Sequence, residues 1–226
     1  AASFRDWLVV RGLLPASIKR IFSTVRAVFT LTIQEDGLNC ANAFSKTFIP
    51  IEAGVKRVSI SPDDIKRVQR ICLEVADERR LLVALISDTG MRLSEALGLV
   101  WGDIRFDHEY PHIQLIPHSW RRLKTSGSKR LIPLVGAAYH AVRTMHQQRT
   151  TQFLFNSYAD ESGCKGNSCS AALNKWLKQH VPKAVVHSFR HSFRDRLRNA
   201  GVQSEMIDQL GGWSSQSVGQ AYGDGF

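Results

Sequence analysis

The residues that could carry chemistry are spread along the chain and end in a tyrosine close to its last residue. They are two arginines, a lysine, a histidine, a tryptophan and that tyrosine: Arg92, Arg190, Lys124, His187, Trp213 and Tyr222. A tyrosine alone is an ordinary core or surface residue, and the tryptophan before it could simply pack beneath it. A phenol becomes a nucleophile only where neighbouring groups activate it. The interpretation of Tyr222 therefore depends on the upstream residues.

Two upstream segments place cations at predicted helix starts. Arg92 follows a glycine turn directly after an apolar stretch, which is an unusual position for a solvated charge. Glu95, three positions later, could orient the Arg92 guanidinium within one helical turn, although a simple ion pair inside the helix explains the same spacing. His187 and Arg190 are also three residues apart, so both can project from one face of a first helical turn.

The histidines and cysteines do not predict a metal site. His187 and His191 have the i, i+4 spacing of a zinc-binding pair, but no glutamate lies between them and no third ligand is evident. A set made of Cys164, Cys169, His180 and His187 matches no zinc module. The four cysteines are scattered through a large charged chain, which predicts reduced thiols in a cytosol rather than a disulfide framework.

The composition favours a polyanionic partner. A formal net charge of +10, from 30 Lys and Arg against 20 Asp and Glu, is typical of proteins that bind nucleic acid. A merely basic protein with a well-solvated surface is the alternative explanation. No apolar run approaches the length of a membrane span, no stretch resembles a signal peptide, and neither a Walker loop nor a dinucleotide fingerprint occurs.

Residues 1–49 are predicted to form a small helical unit, because apolar side chains recur there near helical spacing. Lys19, Arg20 and Arg26 fall between the apolar positions and give this unit a basic face. A solvated helix face and contact with a DNA backbone both explain such charges.

A second domain is predicted over residues 61–226, after a linker at 50–60. Its start signal is strong, since Ser61 can cap free backbone amides and Pro62 suits the first helical position. The apolar spacing predicts helices, in chain order, over about 62–75, 79–87, 93–99, 136–148, 168–180, 187–200 and 204–210. Residues 156–167 are predicted to be a loop because they are rich in glycine and serine.

The segment between residues 101 and 134 predicts a small antiparallel sheet. Its strands are expected over 104–106, 112–116, 119–124 and 129–134, with a polar turn at 125–128. The last hairpin carries a dense set of cations, namely Arg121, Arg122, Lys124, Lys129 and Arg130. Such a set can follow a phosphate backbone, although a lysine-rich loop is as often just solvated. The predicted fold class is therefore mainly α with a small antiparallel β-sheet (α+β).

Four fragments, in this order and at plausible separations, resemble the tyrosine recombinase (phage integrase) family. They are Thr89-Gly90-Met91-Arg92-Leu93-Ser94-Glu95, Lys124-Thr125, His187-Ser188-Phe189-Arg190-His191, and Leu210-Gly211-Gly212-Trp213 followed by Tyr222. Each fragment is weak alone, but the ordered set is specific. The resemblance implies that residues 61–226 are a catalytic domain with the fold of that family. It also implies that residues 1–49 are the C-terminal part of a helical core-binding domain.

The resemblance implies phosphoryl transfer on DNA without a metal ion or ATP, as in a site-specific recombinase or integrase. Tyr222 would attack a backbone phosphorus and give a 3′-phosphotyrosine and a free 5′-hydroxyl, so that the phosphodiester energy is kept for rejoining. Arg92 and Arg190 would clamp the non-bridging oxygens, because a planar guanidinium can bind two of them at once. Glu95 would support Arg92 and the neighbouring histidine without contacting the phosphate itself.

The resemblance also assigns roles in proton transfer. His187 would hold the phosphate and help to accept the tyrosine proton. Lys124 would protonate the leaving 5′-oxygen, with Lys129 as the alternative general acid because the register of a hairpin is hard to predict. Trp213 stands where many family members have a second histidine. Its indole N–H can donate to the phosphate but cannot exchange a proton near neutral pH.

The implied partner is double-stranded DNA with paired core sites, bound by a tetramer, while the free protein is expected to be a monomer or weak oligomer. DNA-bending accessory proteins and a cytoplasmic location, from a bacterial or phage gene, are also expected. Two other functions share part of the pattern: a non-catalytic DNA-binding remnant of an integrase, and strand relaxation like that of a type IB topoisomerase. Because only four residues follow Tyr222, the chain is expected to be either cut short or a shorter variant.

Overall fold

A computed structural model describes residues 1–50 and 59–213 of the chain. The chain divides into two compact units, Ala1–Lys56 and Arg57–Phe226. Most of the predicted linker, and the predicted nucleophile Tyr222, lie outside the described residues. The other candidate residues are all described.

The first unit is built on two helices, α1 (Ala2–Val10) and α2 (Pro15–Glu35). Its small buried core is apolar and consists of Leu8, Ile18 and Phe22. The helical prediction for residues 1–49 is wrong beyond Glu35, where the chain turns back along α2 and the Asn42 side-chain amide donates to the Arg26 carbonyl at 2.9 Å. Gly37, with φ 60°, leaves the helical conformation, and the Asn42 side-chain oxygen accepts from the backbone N–H of Phe44 at 2.9 Å, a local bond that competes with helix formation.

The second unit begins with α3 (Pro62–Val75), and the predicted start is confirmed. The Ser61 hydroxyl accepts a hydrogen bond from the backbone N–H of Asp64 at 3.1 Å. α4 (Glu78–Thr89) follows, and nearly every residue from 81 to 89 is buried. A helix that is buried on all sides belongs in the interior, so α4 is the central helix of this unit.

Five later helices surround the centre of the unit at positions close to the predicted ones. They are α5 (Leu93–Leu97), α6 (Gly136–Gln147), α7 (Gly166–His180), α8 (Ser188–Asn199) and α9 (Ser204–Gly211). The helices α3, α6 and α8 pack directly against α4. The core of the second unit therefore lies around α4, and the C-terminal end of this helix reaches the loops that carry the candidate residues.

A small antiparallel sheet covers one side of this core. Its strands follow the order β1 (Ile104–Arg105), β2 (His112–Leu115) and β3 (Arg130–Pro133). Ile113 and Ile132 are register partners, and both are buried. The predicted fold class, mainly α with a small antiparallel sheet, is confirmed.

The strand predicted over 119–124 is wrong. His118 and Arg121 exchange backbone hydrogen bonds of 3.0 and 3.1 Å, which closes a tight turn. This turn sends the Arg121 side chain inward, and burial of that side chain overrides the strand propensity of its neighbours. A second difference is a short hairpin, β4 (Ala159–Asp160) and β5 (Gly163–Cys164), within the predicted loop.

The four cysteines are all free thiols: Cys40 is exposed, Cys164 is half-buried, and Cys72 and Cys169 are buried. Burial raises the pKa of Cys72 to about 12 and that of Cys169 to about 11, so both are neutral thiols near pH 7. Within residues 1–50 and 59–213, no helix has the length and apolar character needed to cross a membrane.

Candidate functional site

The candidate site begins where α4 ends. Gly90 adopts a left-handed backbone conformation (φ 60°) and ends the helix. A Cβ on Gly90 would lie 2.5 Å from the ring of Phe193 on α8, so any larger residue would push this ring away. The turn places Arg92 immediately before α5, where the sequence predicts a helix start.

Glu95 is the acidic centre of the site, and its side chain is only 2% exposed. Its Oε1 accepts from Nη1 of Arg92 at 2.5 Å, and its Oε2 accepts from the Arg92 backbone N–H and from Nη2 of Arg130, both at 3.0 Å. Burial alone would raise the pKa of Glu95, but the charge of Arg130 and these hydrogen bonds outweigh burial and hold the pKa below its usual value. Glu95 is therefore a carboxylate that fixes the Arg92 side chain.

Arg92 is held from several directions but is not closed off. Its Nη1 also lies 3.2 Å from the hydroxyl of Ser128, and its Nη2 lies 3.4 Å from the carbonyl of Gly212. The Arg92 side chain is 21% exposed, whereas Glu95 behind it is buried. The Arg92 side chain is therefore fixed by protein groups and still partly open to solvent.

Arg190 lies in the first turn of α8 and is almost completely buried. Its Nη1 donates to the Gly90 carbonyl at 2.8 Å and its Nη2 to the Gly211 carbonyl at 2.5 Å. The guanidinium carbon lies 4.3 Å from the centre of the Trp213 ring. Burial, together with the positive charge of Arg92, lowers the pKa of Arg190 to about 10, which still leaves a cation near pH 7.

Trp213 directly follows the end of α9. Its backbone N–H donates to the Asp208 carbonyl at 2.9 Å, and its ring covers Gly211, where a Cβ would lie 1.7 Å from a ring carbon. The guanidinium of Arg194 lies 4.9 Å from the ring centre and forms an ion pair with Asp208 at 2.7 Å. The ring of Trp213 is therefore fixed by cation–π contacts with Arg190 and Arg194 and by the absence of a side chain at Gly211.

A shallow cavity opens in front of these groups. Its lining is rich in cations and consists of Arg92, Lys124, Thr125, Arg194, Asp208, Gly212 and Trp213. The cations Arg92, Lys124 and Arg194 outnumber the single lining carboxylate, Asp208, so the cavity suits an anionic group. The structure thus brings the predicted residues Arg92, Lys124 and Trp213 to one place, although 121 positions separate the first from the last (213 − 92).

His187 does not line this cavity. It is the exposed residue immediately before α8, and its ring lies 5.3 Å from that of His191. It lines a neighbouring depression together with Met91 and Leu93, the residues on either side of Arg92 in sequence. The structure therefore places His187 next to the candidate site without placing it in the same cavity as Lys124 and Trp213.

The residues predicted to touch DNA fall into two groups. Those at the surface or partly exposed are Lys19, Arg20, Arg26, Arg122 and Lys129. The prediction is wrong for Arg121 and Arg130, which are only 3% and 7% exposed. Each is paired with a buried carboxylate, Asp103 for Arg121 and Glu95 for Arg130, and a paired charge is the kind that proteins keep inside. The predicted hairpin therefore presents fewer positive charges at the surface than its sequence contains.

Three residues of the site were not singled out from the sequence. Arg194 lies one helical turn after Arg190 on α8, and this i, i+4 spacing is a signal that could have been used. Asp208 and Ser128 have no comparable signal, because their contacts with Arg194 and Arg92 cross 14 and 36 positions of sequence. Among the described residues, no group of three or more His, Cys, Asp or Glu side chains is arranged to hold a metal ion.

The second unit is a mainly helical fold with a small sheet, and its cavity gathers cations around an orienting carboxylate, as in proteins that bind phosphate groups. Sequence comparison identifies the family. The phage integrase family matches residues 59–225, and the chain belongs to this family. The resemblance carried by the four fragments is therefore confirmed.

Curated relatives of this chain include tyrosine recombinases. The chain is 26% identical over 172 residues to tyrosine recombinase XerA from Pyrococcus furiosus, a match that covers 73% of this chain and 56% of the relative. It is 31% identical over 153 residues to tyrosine recombinase XerD from Corynebacterium glutamicum, a match that covers 63% and 47% of the two chains. The chain spans about half the length of these relatives.

Solved structures of DNA-bound integrases share the fold. The integrase of transposon Tn1549 in complex with circular intermediate DNA has a TM-score of 0.70 and is 20% identical. This match covers 97% of this chain and 78% of the Tn1549 integrase chain. A lambda integrase tetramer bound to a Holliday junction has a TM-score of 0.67 and is 17% identical. This match covers 96% of this chain and 64% of the lambda integrase chain. At these identities the likeness establishes the fold.

Proposed function

We propose that this protein is a site-specific DNA recombinase that cleaves and rejoins strands through a 3′-phosphotyrosine intermediate, with Tyr222 as the nucleophile. The observation that supports this proposal is the convergence of Arg92, Lys124 and Trp213 on one cationic cavity. These residues come from distant parts of the chain and share no local element. A phosphodiester is the anionic group that such a set of donors binds and activates.

In the proposed reaction, the Tyr222 oxygen forms a bond to phosphorus while the bond from phosphorus to the 5′-oxygen breaks. Arg92 donates to the non-bridging oxygens from the wall of the cavity, and Arg190, whose guanidinium stacks on Trp213, adds positive charge beside it. These cations are fixed before the reaction, so they stabilise the charge of the transition state without reorganising. Because the phosphodiester energy is kept in the phosphotyrosine, the reaction needs neither a metal ion nor ATP.

Proton transfer completes the proposed reaction. His187 helps to accept the proton of Tyr222, and Lys124 protonates the leaving 5′-oxygen. Lys124 is favoured over Lys129 because it lines the cavity that Arg92 faces. Trp213 donates its indole N–H to the phosphate and takes no part in proton transfer.

We propose that residues 1–49 are the end of a core-binding domain and residues 61–226 the catalytic domain, joined by the linker at 50–60. The substrate is double-stranded DNA with paired core sites, on which the protein acts as a tetramer. DNA-bending proteins assist this assembly, and the reaction takes place in the cytoplasm of a bacterium. The exposed cations Lys19 and Arg20 of the first unit support contact with the DNA backbone, because such contacts dominate affinity for DNA.

The test measures covalent adduct formation by the full natural chain. The protein first selects duplexes from a random pool, and the selected duplexes are synthesised with a nick. The nick lets the cleaved end dissociate, so the adduct accumulates. The products are then separated on a denaturing gel. The wild type is expected to form an adduct, Tyr222→Phe to bind DNA without forming one, and the exposed Tyr110→Phe to match the wild type. An adduct that persists in Tyr222→Phe rules out the proposed nucleophile.

The same assay separates the alternative functions. Selected binding without any wild-type adduct would indicate a non-catalytic remnant. Relaxation of a supercoiled plasmid without strand exchange between two sites would indicate topoisomerase activity. Exchange between two sites on one plasmid, lost in Tyr222→Phe, is the result expected for a recombinase.

A further inference from the structure

A buried arginine outside the proposed catalytic set connects the segments that carry this set. We propose that Arg130 is a positioning residue that fixes Arg92 and Trp213 relative to each other, an inference that rests on the proposed function. Arg130 begins β3, and its side chain is 2% exposed. It therefore acts through its neighbours rather than by touching DNA.

Each nitrogen of the Arg130 guanidinium makes a bond to a different segment. Nη2 donates to Oε2 of Glu95 at 3.0 Å, Nε donates to the Leu210 carbonyl at 2.8 Å, and Nη1 donates to the Ser128 carbonyl at 2.8 Å. The partners lie on α5, on α9 and in the loop before β3. One side chain thus holds three parts of the chain that are distant in sequence.

Each partner of Arg130 lies next to a residue of the proposed site. Glu95 binds Arg92 through its other oxygen, and the Ser128 hydroxyl lies 3.2 Å from the same Arg92 side chain. Leu210 is three positions before Trp213, on the last turn of α9. Loss of Arg130 would therefore free both the carboxylate that orients Arg92 and the helix end that presents Trp213.

A lysine could not replace this arginine. The guanidinium is planar and presents donors in three directions, whereas a lysine has a single nitrogen at the end of a flexible stem. The backbone of β3 at Arg130 is also fixed, because Arg130 is the register partner of Leu115 on β2. The position demands both the shape and the charge of arginine.

Arg121 provides a matched control within the same unit. Its side chain is as deeply buried as that of Arg130, each with 2% exposure, and it also donates to the α5 segment, through the Glu95 carbonyl at 2.8 Å. Its other partners are Asp103 at 3.5 Å and the carbonyl of Ile116. These partners lie away from α9, so Arg121→Met removes a buried arginine without removing a bond to the segment of Trp213.

The experiment compares Arg130→Met, Arg130→Lys and Arg121→Met with the wild type, using the full chain at a temperature where denaturant titration shows each variant to be folded. The adduct rate is measured in a single turnover at saturating nicked DNA, and DNA affinity is measured separately. Arg130→Met is expected to lower the rate about 10²-fold, the cost of misplacing reacting groups by roughly 1 Å, with a far smaller change in affinity. The adduct rate of Arg130→Lys is expected to be close to that of Arg130→Met, and the adduct rate of Arg121→Met close to that of the wild type.

A second measurement does not require activity. The chain has five tryptophans, so the emission of Trp213 is taken as the difference between each protein and its counterpart with Trp213→Phe. Because Arg190 and Arg194 lie against the ring of Trp213, a shift of α9 changes that emission. Arg130→Met is expected to alter the difference spectrum and Arg121→Met to leave it unchanged.

The outcomes separate this inference from the proposed function. A wild type without adduct would refute the proposed function, and the Trp213 spectrum would still decide whether Arg130 positions α9. Adduct formation by folded Arg130→Met at the wild-type rate would overturn the inference alone. Equal losses in Arg130→Met and Arg121→Met, or full recovery in Arg130→Lys, would also overturn it, because they would show a general effect of buried charge.

Discussion

Within residues 59–213, two buried acid–arginine clusters have similar pairings but differ in how far their arginines are exposed. In one, Glu95 binds Arg92 and Arg130, and the side chain of Arg92 keeps 21% of its surface exposed. In the other, Asp103 binds Arg121 and His118, and the side chains of these three residues are 1%, 2% and 16% exposed. The first cluster presents an arginine to a cavity, while the second keeps its arginine buried within the protein.

The difference shows how one pairing can serve two purposes. A buried ion pair gains little net stability, because the desolvation of both charges offsets their attraction. In the Asp103 cluster the cationic and aromatic side chains contact other protein groups. Arg121 donates to the carbonyls of Glu95 and Ile116, and the ring of His118 stacks on that of Trp120, with the centroids 4.6 Å apart. In the Glu95 cluster, Arg92 also lines the cationic cavity and is partly open to solvent. We therefore expect the Asp103 cluster to govern folding and the Glu95 cluster to govern activity.

The largest effect is expected from breaking the Asp103 cluster. Asp103→Asn leaves the Arg121 guanidinium buried beside a neutral partner, which typically costs about 3–5 kcal/mol of folding free energy. Denaturant titration measures this loss. If the two clusters divide their roles as proposed, the fraction of Asp103→Asn that remains folded forms adduct at the wild-type rate. A loss of rate with unchanged stability would reverse the assignment.

The next effect is expected from the Glu95 cluster. Arg92→Gln removes the proposed donor to the transition state and should lower the adduct rate by about 10²- to 10³-fold, as for other fixed donors of this kind. Its folding free energy should change much less than that of Asp103→Asn, because Arg130 still pairs with Glu95. Single-turnover cleavage at saturating DNA, alongside denaturant titration of the same protein, makes the comparison. A stable variant with an undiminished rate would contradict the role of Arg92.

The smallest effect concerns pH. The pKa of Glu95 is lower in the folded protein than its ordinary value of 4.5, so its charge stabilises the fold above pH 4.5 and this contribution is lost as the pH falls through the lower folded value. The free energy of unfolding of Glu95→Gln should therefore differ most from that of the wild type near neutral pH and least in acid. Titration with denaturant across this range measures both curves. Parallel curves would mean that Glu95 contributes no pH dependence.

Local features of the structure could be predicted from the sequence. The Ser61 cap, the glycine turn at Gly90 and the approach of Glu95 to Arg92 all depend on residues within a few positions of each other. Helical periodicity placed most of the helices for the same reason. The ordered fragments identified the family, because each is a short local pattern and their order along the chain is specific.

Contacts across long stretches of sequence could not be predicted. The charge of Arg121 and Arg130 was visible, but their carboxylate partners lie 18 and 35 positions away, and only the folded chain shows that both arginines point inward. The strand predicted around Arg121 failed for the same reason, since its burial required a turn. The stacking of Arg190 on Trp213 likewise depends on how α8 and α9 pack.

Chemical labelling of this chain is simplified by its buried thiols. Cys72 and Cys169 are inside the core, burial also raises the pKa of the half-buried Cys164, and Cys40 alone among the four is exposed. A maleimide dye near neutral pH should therefore couple first to Cys40, on the first unit, without any substitution. Energy transfer between that dye and a labelled duplex would then test the proposed contact of this unit with DNA, with every candidate catalytic residue left unchanged.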